Sequence, residues 1–305
     1  MWSLRQTRVF MDTAVTVELV DESAGEEGDA AAERAFARFA QVESVCSRFD
    51  PDSELRRLSA RPGEAVEVSA VLFEAVRFAL AVARASGGAF DPTVGGPMEQ
   101  RGFDRNYRTG LAERGGAAAA PGASWRDVHL QARRHRITLR RPLLLDLGAV
   151  AKGLAADLAL RELAGFAGCA IDAGGDVAVR GRNGSGTPWR IGIRHPRRPD
   201  TLCTSLCLGD GAVCTSGDYE RRAPGPDGGS HLLDPRDGAP AADVASCTVV
   251  APNAMMADAL GTAACVLGPG FAVSWLERQG VEAVLYSPAM ERFATSGFAR
   301  LEQCP

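Results

Sequence analysis

Lysine is almost missing from this chain of 305 residues. Lys and Arg together number 34, and a single lysine, Lys152, leaves arginine in every other basic position. Where arginine has replaced lysine so freely, the survivor is singled out for a task arginine does badly: lysine is a compact point charge with three rotatable donors, arginine a wide planar fork. Uninterrupted apolar runs long enough to span a bilayer are absent. Basic runs are absent too, and the net charge is −4, so nucleic acid is not an expected partner. Residues 1–8 contain neither an apolar stretch nor a lipobox-like cysteine, so no secretory signal is expected and the cytoplasm is the expected compartment. No C-x-x-C pair occurs among Cys46, Cys169, Cys203, Cys207, Cys214, Cys247, Cys265 and Cys304. Most of these sit in apolar segments and read as reduced core thiols, and a zinc site is not expected. A G-x-G-x-x-G between strand and helix is also lacking, which ranks a dinucleotide-binding oxidoreductase last.

What is present supports a sizeable core: 46% of residues are hydrophobic and 24% charged. The length suits one large domain or two intimately packed ones. Residues 9–20 alternate and predict a first strand, followed by an acidic turn at 21–28. Helical spacing follows through Phe36, Phe39, Val42 and Val45. Ser69 reads as the N-cap of a helix over 70–85, stopped by Gly87-Gly88. Residues 109–124 and 222–230 read as mobile surface loops. A hairpin is predicted from His129 to Leu145, with Leu143–Leu145 as a buried strand, and a strand pair over 171–180. Further strands are predicted at 189–194, 202–208, 212–215 and 244–251. Asn253 would cap a helix running to Leu267 and stopping at Gly268. Locally paired strands with interspersed helices make the class α+β.

Several segments could carry chemistry. Asp146-Leu147-Gly148 turns sharply out of the leucine run, and Val150, Leu154, Leu158 and Leu163 mark a helix. Lys152 in its first turn would adjoin unpaired N–H groups and the positive helix end, an anion site; the alternative is a helix-start lysine facing water. Asp258 and Thr262 are spaced i, i+4 on one face, hard oxygen ligands suited to Mg²⁺; the alternative is a hydrogen bond inside an apolar helix. Gly174-Gly175 beside a strand end lets a ligand approach bare backbone, or marks a bulge. Ala89-Phe90-Asp91 in a Gly-rich loop suits a planar ring with hydrogen-bonding edges, or is turn chemistry set by Asp91-Pro92. His231, following the 222–230 loop, is the histidine best placed to enter a site, although a lone histidine is more often structural.

Taken together, these segments resemble the FAD:protein FMN transferase (ApbE) family. The resemblance rests on Met11-Asp12-Thr13; Ser47-Arg48-Phe49-Asp50-Pro51 with Ser53-Glu54-Leu55; Gly88 to Gly95; Asp146 to Gly153; Ala173-Gly174-Gly175-Asp176; Thr215 to Arg221; His231 to Pro235; and Ala257 to Ala263. Each is weak alone, but they occur in the family's order over nearly the whole chain. The resemblance implies one ApbE-like domain over 1–305, α+β with a T-fold-like core of mainly antiparallel sheet. It implies a Mg²⁺-dependent transfer of the FMN half of FAD to a threonine or serine hydroxyl of an acceptor flavoprotein, releasing AMP. By resemblance, Asp258, Thr262 and the carbonyl of Ala149 would hold Mg²⁺. Met11, Phe49, Ala89, Phe90, Asp91, Asp146 and Lys152, with Gly174 and Gly175, would line the FAD site, and His231 would be the base. Two positions depart from the family: Asp12 stands where glycine is usual and Asp237 where threonine is usual.

Pyrophosphate cleavage develops charge on phosphoryl oxygens, which Mg²⁺, Lys152 and a helix N-terminus would stabilise. Two other readings share the same residues: an FAD pyrophosphatase giving FMN and AMP, and a non-catalytic flavin-binding module. The acceptor is expected to be another protein.

Overall fold

The computed structural model describes residues 2–23, 25–112, 120–220 and 230–304. The chain opens with a hairpin, β1 (Trp2–Phe10) and β2 (Thr13–Asp21), then α1 (Gly25–Cys46) and α2 (Glu54–Ser59). Next come β3 (Ala65–Glu67), α3 (Ala70–Ala85), α4 (Gly95–Gln100), β4 (Val128–Gln131), β5 (Arg136–Leu139) and α5 (Gly148–Glu162). Five strands follow: β6 (Gly168–Ala173), β7 (Asp176–Gly181), β8 (Trp189–His195), β9 (Arg198–Leu208) and β10 (Gly211–Gly217). The last part holds β11 (Ser246–Ala251), α6 (Ala254–Leu267), α7 (Pro269–Arg278), β12 (Glu282–Tyr286), β13 (Arg292–Ala294) and α8 (Phe298–Leu301).

The centre is an eight-stranded sheet in the order β1-β2-β6-β7-β10-β11-β12-β13, antiparallel at every pairing. Helices α1, α5, α6 and α7 pack along one face. On the other face, Val213, Val250, Val284 and Tyr286 meet Ile193 and Leu206 of the separate β8–β9 hairpin and Phe298 of α8. Alternation along β10 explains the two layers: Ala212 and Cys214 point into the main core and Val213 into the second. The expected α+β class, mainly antiparallel with interspersed helices, is what the structure contains.

Local signals account for the helices that frame the site. The Ser69 hydroxyl accepts the Leu72 N–H at the start of α3, and Gly87 and Gly88 stop the helix with φ of 63° and 90°. The Asn253 side chain accepts the Met256 N–H at the start of α6, and Gly268 ends it.

Some expectations fail. The predicted strand over 9–20 is broken by a two-residue turn, because Met11 and Asp12 both adopt left-handed backbone, with φ of 52° and 63°. Asp12 thus stands where the backbone favours glycine. Leu143–Leu145 is buried as expected but belongs to no sheet; its neighbourhood is stitched instead to the 92–95 loop by Gly95 N–H to Leu144 O and Asp146 N–H to Pro92 O. Residues 113–119 of one predicted loop and 222–229 of the other lie outside the described residues. Six cysteines are free and five of them buried, while Cys207 on β9 is joined to Cys304 in a disulfide. That pairing spans 97 residues of sequence, and spacing alone does not signal it. Among the described residues no helix is long and apolar enough to cross a membrane.

Candidate active site

One end of the central sheet gathers most of the singled-out residues. The Met11–Asp12 turn joins β1 to β2, and Gly174–Gly175 joins β6 to β7. The register Val15 to Ala173 sets these turns side by side, and Gly174 N–H donates to Ala14 O at 3.0 Å. A Cβ on Gly174 would lie 2.0 Å from Thr13 Oγ1, and both glycines have positive φ, so this is a tight hairpin turn rather than a bulge. The Asp172 carboxylate closes it by accepting the Gly175 N–H. Asp176 follows at once and is 3% exposed.

Helix α5 is delivered to this end by Asp146, whose Oδ1 accepts the Gly148 N–H at 2.8 Å. Its Oδ2 takes the Arg48 Nε at 2.6 Å, and the Arg48 guanidinium lies 4.0 Å from the centre of the Phe49 ring. Phe49 and Asp146 are therefore joined through Arg48, which is 5% exposed and leaves Nη1 buried with no acceptor. The helix begins at Gly148, so Lys152 lies one residue beyond the first turn. Its ammonium does not lie open as an anion site. It pairs with Asp176 and, at 3.2 Å, with Asp258 Oδ2.

Asp258 sits on α6, almost wholly buried, and Thr262 one turn further meets Ser216 Oγ at 3.3 Å. The opposite oxygen of Asp176 accepts the Thr215 N–H from β10. Two carboxylates facing one ammonium leave a negative surplus in a buried setting, which favours a further cation. Asp258, Thr262 and the Ala149 carbonyl are all hard oxygen donors. Among the described residues no three His, Cys, Asp or Glu side chains converge as a metal cage.

The two helices are locked to each other. Asp157 on α5 accepts the Ala254 and Met255 N–H groups at 2.7 and 3.0 Å, supplying the start of α6 with a carboxylate. Burial pushes the Asp157 carboxyl up, against the lowering pull of those two N–H groups.

The glycine-rich loop is held together by its own aspartate. Asp91 Oδ1 accepts both the N–H and the hydroxyl of Thr93, and Oδ2 accepts the Trp125 N–H, so both oxygens stitch the loop. Burial pushes this carboxyl up, with those hydrogen bonds opposing. Ala89 and Phe90 are buried, Phe90 within the main core and its N–H bonded to Ser86 Oγ. The turn-chemistry alternative accounts for these contacts. Trp125 Nε1 is buried without an acceptor. His231 is half-buried beside Ser230, whose carbonyl accepts from Arg101.

Asp176, Arg48 and Ser216 all lie inside segments singled out in the sequence, but none of the three is among the residues expected to form the site. The signal for Asp176 was the same as for Asp258: a carboxylate in an apolar element needs a partner.

The ApbE family model matches residues 11–285. The FAD:protein FMN transferase of Treponema pallidum is 33% identical over 96% of this chain and 86% of its own. That of Klebsiella pneumoniae is 31% identical over 92% of this chain and 83% of its own. The crystal structure of the ApbE protein of Thermotoga maritima superposes with a TM-score of 0.88 at 29% identity, covering 99% of this chain and 100% of the other. The flavinyl transferase ApbE of Pseudomonas stutzeri, in its apo form, gives 0.84 at 28% identity over 99% and 97%.

Proposed function

The chain belongs to the ApbE family, and from that premise we propose that it transfers the FMN moiety of FAD to a threonine or serine hydroxyl of an acceptor flavoprotein, with Mg²⁺. Residues 1–305 act as one ApbE-like domain. The observation that carries the reading is the Lys152–Asp258 contact at 3.2 Å, with Thr262 one helical turn on. Asp258, Thr262 and the Ala149 carbonyl would hold Mg²⁺. The fit rests on an all-oxygen donor set and on a buried cluster whose two carboxylates outnumber its ammonium. The metal, when bound, neutralises charge on phosphoryl oxygens.

The chain's own residues divide the remaining work. Met11 lies in one turn at the sheet end, and Gly174 and Gly175 offer bare backbone in the turn beside it; Phe49 and Asp146, tied by Arg48, flank the start of α5. Ala89, Phe90 and Asp91 shape the neighbouring loop. Lys152, held by Asp176 and Asp258, would face a diphosphate once a metal takes over Asp258. In the transfer, the acceptor oxygen bonds to the FMN phosphorus and the bridging P–O bond breaks. The electron pair leaves with AMP, and His231 takes the hydroxyl proton. A histidine suits this because its pKa lies near working pH.

The cytoplasm stands as the proposed compartment, and one observation weighs against it. The Cys207–Cys304 disulfide is of a kind that persists in oxidising surroundings. The redox state of this pair in protein taken directly from cells decides between them.

The function is tested by incubating the protein with FAD, with and without Mg²⁺ and candidate acceptors, and quantifying AMP, FMN and flavinylated protein. Mg²⁺-dependent AMP with FMN on the acceptor supports transfer. Free FMN in equal amount identifies a pyrophosphatase instead, and FAD binding without AMP under every condition identifies a flavin-binding module.

A further inference from the structure

Three charged side chains meet between β7, α5 and α6, and they are not equivalent. Lys152 contacts Asp176 most closely and Asp258 at 3.2 Å, long for a charge-assisted bond. Asp176 is held from behind: its other oxygen accepts the Thr215 N–H at 3.1 Å, and it follows directly on the fixed Gly174–Gly175 turn. Among the described residues no backbone N–H donates to the Asp258 carboxylate; its helix is fixed by Asn253 and Asp157 at the start, and its carboxylate meets the ammonium.

We propose that Asp176 is a positioning residue that keeps Lys152 beside the cation site, and that Lys152 is the exchangeable counter-cation of Asp258 until a divalent cation arrives. The inference rests on the metal reading above and deepens it. Two buried carboxylates with one ammonium are short of one positive charge. A divalent cation at Asp258 and Thr262 supplies it and repels the ammonium of Lys152. Asp176 then holds that ammonium close by, so the occupied site presents a net positive face to a diphosphate. Without Asp176, Lys152 has Asp258 as its remaining carboxylate in the cluster and competes with the metal for it. Arginine at 152 would present a planar fork to two carboxylates and resist such exchange, which accounts for a lone lysine surviving among arginines.

The test reads metal affinity rather than turnover. Mn²⁺ is titrated into the protein and free Mn²⁺ followed by electron paramagnetic resonance, with and without FAD. The variants are Lys152→Met, Asp176→Asn, their combination and Asp258→Asn. Without FAD, Lys152→Met is expected to bind Mn²⁺ about ten-fold more tightly, and Asp176→Asn about ten-fold more weakly. In the Lys152→Met background, Asp176→Asn is expected to cost less than about three-fold. A purely structural role for Asp176 would weaken binding equally in both backgrounds, and that result overturns the inference. So does Mn²⁺ binding that is lost in Asp258→Asn but unchanged by Lys152→Met, with the metal reading left intact. No site-specific binding in any variant, with or without FAD, removes the metal reading and the inference together. If Asp176→Asn does not fold, as judged by circular dichroism, Lys152→Met alone still decides the exchange.

Discussion

Gly153 faces the backbone of Ala254 so closely that a methyl group there would lie 2.5 Å from the Ala254 carbonyl. This is a tight backbone contact between α5 and α6, one residue from Lys152 and a turn before Asp258. Gly153→Ala is therefore expected to push the helices apart and destabilise the protein by about 1–3 kcal/mol. It should also weaken metal-dependent turnover, because the Lys152–Asp258 distance depends on this contact. Thermal melting and AMP release in the same preparation check both.

Arg48 and Asp146 form a second test pair. The guanidinium is 5% exposed and depends on Asp146 as its counter-charge. Asp146→Asn is expected to cost about 3 kcal/mol, since it strands a buried charge. Arg48→Met, which removes the guanidinium and its contact with the Phe49 ring but leaves no buried cation stranded, should cost less. The double variant is expected to recover much of the loss of Asp146→Asn, giving a clear coupling in urea melts. Additive losses would mean that the pair does not act as a unit.

His231→Ala is expected to leave FAD affinity within a few-fold and lower transfer by about 10²–10⁴-fold. Equilibrium FAD titration and acceptor flavinylation measure the two. Unchanged transfer would assign the proton to another group.

Thiol titration checks the burial pattern. The thiolate is the reactive form. Burial pushes the Cys46 and Cys169 thiols up to about 12 and that of Cys214 well above its usual value; a hydrogen bond with Cys265, together with burial, raises that of Cys247. At pH 8 a thiol of pKa 12 is only about one part in 10⁴ thiolate. Because these values are raised, lowering the pH further only lessens reactivity. A disulfide-reactive chromophore at pH 8 should therefore find one thiol in the native protein, the half-exposed Cys203. Mild reduction should add Cys207 and Cys304. Cys207→Ser is expected to lower stability by about 2–5 kcal/mol through loss of a long cross-linked loop.

How much was legible follows the range of each signal. Helices α3 and α6 were readable at both ends because Ser69 and Asn253 cap within three residues, and glycines stop them locally. The hairpin turn at Met11–Asp12 was not, since neither residue is the glycine that left-handed backbone advertises. The leucines at 143–145 are buried as the sequence suggests but are not sheet, because the hydrogen bonds of Leu144 and the adjoining Asp146 go to a loop some 50 residues earlier in the chain. At the site, residue chemistry pointed to Lys152, Asp258 and Thr262 individually. What joins Lys152 to Asp176 is the stacking of α5 on β7, and what joins Arg48 to Asp146 spans 98 residues. Periodicity carries no such information.

A chain with one lysine carries a built-in spectroscopic address. Apart from the amine at its start, the protein has one aliphatic amine, and that amine sits between two site carboxylates. Reductive methylation with carbon-13 formaldehyde would place a side-chain methyl signal at that position and nowhere else along the chain. Its chemical shift would then report whether the carboxylates face an ammonium, a metal or a phosphate, without any residue being replaced.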